Sequence, residues 1–504
     1  MILTPQQMRD AEERAFKSGS TAEDLMEEVG DLMAQAIRRF NPAPGFCVVY
    51  AGKGNNAGDA FVAARHLQAS GWQIGLRLAY PEKDLGKLPA ARLAALQEQG
   101  GIRILSGAEV LYAPGVPIIA LDGLLGLAGE GQLREPILGL CQEINEARRQ
   151  RHIRVYALDV PSGLNPDSGY SVDHCVMADF TLTVAHAKRG LLTDNATAYT
   201  GRLVVLPIPA LEIRAGSVEG LIKDEVLTSD WLAGWLPHRG FNTHKGDCGR
   251  IGIVAGSRRF PGAARLAAEG ALRAGAGLVT LFVTDEIHPI LAAACPPEVM
   301  VRPVKDYAKA LDEALDVLAV GPGLDPAAGQ QILELIEKWD KPMVVDAEAL
   351  NLVSKELHLL DICPGPRLLT PHPGEMKRLM PDMPRLRIDA ARAFTEQYPV
   401  TLLLKGSRTV IAEQGEPSLY NITGSPGMAT GGMGDILTGV TAALAGAPEM
   451  GLRQAAALGA WLCGRAAELA LSDPLTARSE ESLLPTDVLA NLGSAFQELR
   501  FQSF

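Results

Sequence analysis

Short apolar runs, each closed by a polar or glycine-rich turn and followed by a helical pattern, recur along most of the chain. "FCVVY" (Phe46–Tyr50), "PIIALD" (Pro117–Asp122), "VYALDV" (Val155–Val160), "FTLTVA" (Phe180–Ala185) and "RLVVLPI" (Arg202–Ile208) are rich in Val, Ile and Leu. Runs without polar alternation suit strands buried on both faces of a parallel sheet. Between them, "DAFVAARHLQAS" and "REPILGLCQEIN" space apolar residues as a helix does. Alternating strands and helices predict an open, doubly wound α/β sheet.

A second series begins at "RIGIVAGS" (Arg250–Ser257). It continues through "LVTLFV" (Leu278–Val283), "VLAVGPG" (Val317–Gly323), "PMVVDAEAL" (Pro342–Leu350), "RLLTPHPGE" (Arg367–Glu375) and "TLLLKGSRTVIAE" (Thr401–Glu413). It closes with the helical patterns "DILTGVTAALAG" and "RQAAALGAWLCGRAAELA". From about Leu211 to Arg239 the pattern loosens, which puts a boundary near residues 212–225 and domains at 1–215 and 222–504. A chain of 504 residues is too long for one ordinary core. No fixed-period repeat runs through it.

Composition narrows the class. Hydrophobic residues make up 47% and charged residues 21%, a soluble globular balance. A net charge of −12 argues against a nucleic-acid or anionic-membrane partner. It leaves phosphate ligands open, because glycine-loop amides bind phosphate without net basic charge. The polar start "MILTPQQMRDAEERAFK" predicts no secretory signal, and no apolar run has bilayer length. Seven cysteines without a C-x-x-C pair read as reduced thiols of a cytoplasmic protein. His244 and Cys248 stand close but lack the second pair a zinc site needs.

In the first half, "GKGNNAGDAFVAARHL" (Gly52–Leu67) joins a strand to a helix, and Asp59 is expected to begin and cap that helix. Amides there favour an anion, although glycines alone describe any well-made turn. Asp122 ends one apolar run and Asp159 another, so both emerge at the carboxyl edge, where ligands bind. Such carboxylates also serve as helix caps or loop anchors. Two of them beside an Asn-Asn glycine loop favour a site. Oxygens of Asn56, Asp122 and Ser162 suit a hard cation, and Asp159 suits proton donation or acceptance.

These residues resemble the NAD(P)H-hydrate epimerase family. "LMEEVG", "GKGNNAGDAFVAARHL", "LDGLLG" and "LDVPSGLNPDSG" carry the likeness, over residues 1 to about 212. The resemblance implies a Rossmann-like fold, interconversion of the R and S forms of hydrated nicotinamide, and a potassium ion. It implies substrate contacts at Asn55, Asn56, Ala57, Gly58, Asp59 and Asp159, and in the loop Gly126, Leu127, Ala128, Gly129, Glu130, Gly131 and Gln132. Potassium would be held by Asn56, Asp122 and Ser162. Two departures stand out: Ala60 replaces the usual glycine, and "GLAGEGQLRE" lacks the usual threonine.

In the second half, "GSRRFPGAARLAAEGALRAGAG", "GPGLDP", "TPHPGE" and "LLKGSRT" set polar or glycine-rich turns after apolar runs. "SPGMATGGMGDILTGV" (Ser425–Val440) delivers Asp435 to a helix start. His372 alone reads as an ordered loop histidine, and Lys405 alone as a solvated hairpin charge. Together with Asp435 they fit phosphoryl transfer, which needs positioned phosphate, offset charge and an oriented hydroxyl.

"GGMGD" is similar to the Gly-x-Gly-Asp element of ribokinase-like folds. The ordered set "HKGDCGRIGIVAGS", "VGPGLDP", "DAEALN", "LTPHPGEM", "LLKGSRTVI" and "GSPGMATGGMGDILTGV" resembles the ADP/ATP-dependent NAD(P)H-hydrate dehydratase family over residues 225–500. The resemblance implies Ala263, Gly323, His372 and Asp435 as contacts to the hydrated dinucleotide. It implies Lys405, Gly406, Ser407, Arg408, Thr409 and Gly434 as contacts to ADP or ATP, accompanied by Mg2+. Met433 stands where the family commonly has Ser, and Glu348 where it has Asp. The joint reading is a bifunctional repair enzyme with Asp435 as catalytic base. A small-molecule kinase and a non-catalytic nucleotide binder remain its rivals. Small-residue helices such as "AALGAWLCG" lead us to expect a homo-oligomer.

Overall fold

The computed structural model describes all residues except 107–115, 130, 152, 214–223, 474–475, 477 and 502–504. The chain divides into two compact units, Met1–Lys223 and Asp224–Phe504. The boundary expected at 212–225 falls largely outside the described residues.

Among the described residues of the first unit, seven parallel strands form one sheet: Phe46–Ala51, Gln73–Leu78, Arg103–Ile104, Ile118–Gly123, Arg154–Leu158, Phe180–Val184 and Arg202–Leu206. Counted in chain order within this sheet, they lie 3-2-1-4-5-6-7. The order reverses between Phe46–Ala51 and Ile118–Gly123, and that crevice is where doubly wound sheets bind ligands. Central strands such as Phe46–Ala51 are buried at every residue, which is why they read as unbroken apolar runs. A separate pair, Ile2–Leu3 with Ala187–Lys188, ties the amino terminus to the segment after the sixth strand.

The second unit builds a ten-stranded sheet among its described residues: Glu225–Val226, Arg250–Val254, Leu278–Val283, Val299–Pro303, Val317–Val320, Met343–Val345, Arg367–Leu369, Thr401–Leu404, Thr409–Ala412 and Leu419–Asn421. In chain order they lie 1-10-9-8-7-6-5-2-3-4. Thr409–Ala412 runs antiparallel to both its neighbours, and every other pairing is parallel. Helix Met433–Ala445 packs on helix Pro261–Arg273 through small residues: a Cβ on Gly439 would overlap the Ala267 carbonyl oxygen.

The α/β expectation holds in both units, with local corrections. "PMVVDAEAL" is not one strand; it ends at Val345, and a helix begins at Ala347. Asp59 does not cap a helix. The helix begins four residues earlier, at Asn55, with Gly54 in the capping position and no side-chain cap. Three residues separate the strand ending at Ala51 from this helix, so Asp59 lies in its second turn. The "AALGAWLCG" segment is buried throughout inside the second unit, within helix Leu452–Ser472, so it presents no face for a second subunit. No helix among the described residues is long and apolar enough to cross a membrane.

Candidate active sites

The first site opens at the carboxyl ends of Phe46–Ala51, Ile118–Gly123 and Arg154–Leu158. Asp122 is fully buried and accepts from the Ser162 hydroxyl at 2.7 Å and the Ser162 amide at 2.8 Å. Burial pushes the Asp122 carboxyl up, and these bonds oppose the push. The Ser162 hydroxyl in turn accepts from Leu125 N at 3.1 Å, which pins the loop carrying Gly126. A Cβ on Gly126, whose φ is +59°, would come within 3.0 Å of the Asn56 side chain. The structure thus brings Asn56, Asp122 and Ser162 together around one turn. Asn56 Nδ2 is buried without a partner. An orphaned buried amide needs an explanation, and a bound ligand is one.

Asn55 is exposed at the start of its helix, Ala57 and Gly58 are buried, and Asp59 is partly exposed. Asp159 follows its strand in a left-handed conformation, φ +63°, and is 8% exposed. Its Oδ1 accepts from the buried Lys188 ammonium, from Thr183 Oγ1 at 3.2 Å and from Val184 N at 3.1 Å. Gly126, Leu127 and Ala128 form a short turn, and Gly129 ends it. Gly131 and Gln132 are exposed. Glu130 lies outside the described residues.

The second site gathers at the carboxyl edge of the larger sheet. Gly432, with φ +97°, starts helix Met433–Ala445, a conformation glycine adopts without strain. Asp435 stands in the first turn. Its carboxyl is pushed up to about 6, chiefly by burial and then by Asp346, with Lys405 pulling the other way. Lys405 Nζ donates to Asp346 Oδ1 at 2.7 Å, and Thr438 donates to Asp346 Oδ2 at 2.7 Å. Asp346 therefore links the Lys405 turn to the helix of Asp435. A Cβ on Gly434 would lie 3.5 Å from Lys405 Nζ and 3.8 Å from Asp346 Oδ2, so Gly434 borders the same cluster.

His372 accepts the Gly374 amide at 2.9 Å through Nδ1, and its Nε2 lies 3.4 Å from Glu375 Oε1. Glu375 Oε2 stands 3.9 Å from Lys405 Nζ, which connects His372 to the cluster. Gly323, φ +64°, approaches Ala263 so closely that a Cβ would sit 2.8 Å from its methyl. Gly406 and Ser407 are exposed and Thr409 is half-buried, whereas Arg408 is only 4% exposed. Burial, and then Arg387, bring the Arg408 guanidinium down to about 10. The Arg408 side chain thus does not share the open turn of its neighbours.

Sequence reasoning passed over Asp346, Glu375 and Lys188 as individual site residues. Asp346 carried a signal, since it ends an apolar run just as Asp122 does.

Each unit is a doubly wound α/β body with carboxylates and helix-start amides at its carboxyl edge, and this layout defines an enzyme of two separate sites. Residues 22–190 match the family model described as YjeF-related protein N-terminus, and residues 251–487 match that of NAD(P)H-hydrate dehydratase. The bifunctional NAD(P)H-hydrate repair enzyme Nnr of Moorella thermoacetica is 36% identical, over 92% of this chain and 90% of that protein. The enzyme of the same name from Coxiella burnetii is 36% identical, over 98% of each. A Bacillus subtilis ADP/ATP-dependent NAD(P)H-hydrate dehydratase, crystallized with ATP/Mg2+, is 28% identical over 55% of this chain and 100% of its own, with a TM-score of 0.48. The chain belongs to the bifunctional NAD(P)H-hydrate repair enzyme family.

Proposed function

We propose that residues 1–215 epimerise the R and S forms of hydrated NADH and NADPH, and that residues 222–504 dehydrate the S form at the expense of ADP or ATP. The observation that carries the second assignment is Asp435: a carboxyl pushed up to about 6, in the first turn of a glycine-started helix, beside Lys405. Asp435 accepts the proton of the C6 hydroxyl as that oxygen attacks the terminal phosphoryl group. Amides near Gly432–Gly434 stabilise charge on the transferring group. The phosphoester then loses phosphate from C6 and a proton from C5, which restores the ring. Lys405–Thr409 and Gly434 hold the nucleotide. Ala263, Gly323 and His372 hold the hydrated dinucleotide.

In the first unit, Asn55–Asp59, Gly126–Gln132 and Asp159 contact the substrate. The donor set Asn56, Asp122 and Ser162 fits K+: all three are oxygen-bearing, and the unpartnered Asn56 amide can turn its oxygen inward. There K+ would supply positive charge against an anionic substrate. In the second unit, the Asp346 and Glu375 carboxylates beside Lys405 fit Mg2+, which is commonly held by one or two carboxylates plus substrate phosphates. When bound, it would offset phosphate charge.

The test incubates mixed hydrate epimers with ADP or ATP, with and without K+, and follows recovery of NADH absorbance and of free phosphate. Full recovery of both epimers is expected, with the R form dependent on the first unit. A stable phosphoester product would mean a small-molecule kinase. Tight nucleotide binding without turnover would mean a binding protein.

A further inference from the structure

At Leu386 and Arg387 the chain inverts the usual rule of burial. Leu386 is 41% exposed, whereas Arg387, next to it, is only 9% exposed. A cation is rarely buried unless its surroundings pair it. Arg387 also opens helix Arg387–Gln397, where a positive charge stands against the helix dipole. Its place is therefore explained by what its side chain reaches. The helix packs on Thr401–Leu404 and Thr409–Ala412, the antiparallel strands that flank the turn at Lys405–Arg408.

Arg387 Nη1 donates to the Lys405 carbonyl at 3.3 Å. A Cβ on Gly406 would lie 1.7 Å from that same nitrogen and 2.6 Å from Cζ. The guanidinium thus occupies the space that a side chain at position 406 would need. Two more donors act on the turn. Thr409 Oγ1 donates to the Gly406 carbonyl at 3.0 Å, and Arg408 Nη1 to the Ser407 carbonyl at 3.3 Å. Three successive carbonyls are each taken by a side chain. The amide of Gly406, an exposed residue, makes no hydrogen bond among the described residues. Carbonyl oxygens repel a phosphate, and unbonded amides attract it. A turn with its carbonyls tied back and an amide free offers its donor edge to an anion.

We propose that Arg387 is the positioning residue of the nucleotide turn: its guanidinium ties back the Lys405 carbonyl and packs against the bare Gly406 Cα, which sets the Gly406 amide toward the phosphates of ADP or ATP. The inference rests on the reading of Lys405–Thr409 as nucleotide-binding. Arg387 itself touches no substrate in this scheme. Gly406 is required because any side chain there displaces the guanidinium. Arg408 assists from the buried side of the turn, which accounts for its burial between exposed or half-buried neighbours. Losing Arg387 therefore weakens nucleotide binding and leaves proton transfer at Asp435 intact.

The test measures kcat, the KM for ADP and ATP and the KM for the S hydrate on the full chain, by recovery of NADH absorbance. Arg387→Ala is expected to raise the nucleotide KM about tenfold, the size of one lost charged hydrogen bond, with hydrate KM and kcat little changed. Arg387→Lys keeps a charged donor and should recover most of the loss. Gly406→Ala puts a methyl where the guanidinium lies and should raise the nucleotide KM alike. The two substitutions break one contact, so the double variant should stay near about tenfold rather than multiply to about 100-fold. Melting curves followed by circular dichroism report whether Arg387→Ala folds. If it does not, Gly406→Ala, on the exposed turn, decides. Lys405→Met, read by calorimetric titration with ADP, tests the turn itself. If it weakens ADP binding, three results overturn the inference alone: a wild-type nucleotide KM in Arg387→Ala or Gly406→Ala, an equal rise in nucleotide and hydrate KM, or multiplied effects in the double variant. If Lys405→Met binds ADP as wild type does, the nucleotide reading of the turn falls, and the inference with it.

Discussion

Replacing Asp435 by Asn is expected to abolish dehydration and, at the same time, to stabilise the second unit. The carboxyl sits at about 6 in the folded chain against an ordinary 3.8, because burial and Asp346 disfavour its charge. Each pH unit of displacement corresponds to about 1.4 kcal/mol, so holding Asp435 ionised costs the fold roughly 3 kcal/mol. Asp435 is partly exposed, and solvent screening reduces this to about 2 kcal/mol. The sign follows from the raised value. The cost is absent below the ordinary value, where both states are protonated. It grows as pH rises between the two values and is complete above about 6.

Asn has nearly the same shape and no charge, so the variant escapes this cost. A melting temperature roughly 4 °C above wild type is expected at pH 8, falling to no difference near pH 4. Dehydration of the S epimer should fall by about 100-fold or more, the usual loss on removing a general base. Thermal unfolding at both pH values and turnover at pH 8 test the pair of outcomes together. Wild-type turnover would refute Asp435 as base. A melting shift equal at both pH values, or a lower melting temperature at pH 8, would refute the electrostatic account.

Three further outcomes follow from the same geometry. Asp346→Asn removes a carboxylate that raises Asp435, so the acidic limb of dehydratase kcat/KM should move to lower pH; an unmoved limb would show that Asp346 does not act on the base. Gly126→Ala places a methyl 3.0 Å from Asn56 on a left-handed backbone, so the K+ dependence of epimerisation should weaken while dehydration continues, as titration with KCl would show. Gly439→Ala forces the helices Met433–Ala445 and Pro261–Arg273 apart and should destabilise the second unit by about 1–3 kcal/mol in urea unfolding.

What the sequence revealed follows from where each residue gets its environment. Leu278–Val283 was legible to the residue because most of it is buried in a parallel sheet, which leaves an apolar run broken only by the partly buried Thr280. Gln73–Leu78 was not, because "QIGLRL" carries polar residues and a glycine. Its strand exists because it pairs in register with Phe46–Ala51, and pairing leaves no periodic trace. Glu225–Val226 and Leu419–Asn421 are of the same kind, short strands at or near the edge of their sheet. Asp122, Asp159 and Asp435 stood out because each interrupts an apolar pattern at the point where the chain leaves a strand or enters a helix. Asp346 obeys that rule and was still passed over, since its value lies in what it touches, Lys405 and Thr438. Lys188 reads in "AHAKRG" as an ordinary surface charge, and Glu12 in "RDAEERAFK" as one acid among several. The pairing of Leu3 with Lys188 sets the two segments that carry them side by side, and Lys188 meets Asp159. Strand ends thus reveal candidate site groups such as Asp122 and Asp159, whereas what each group is paired with, Lys188 for Asp159 and Lys405 and Thr438 for Asp346, is set by tertiary contact.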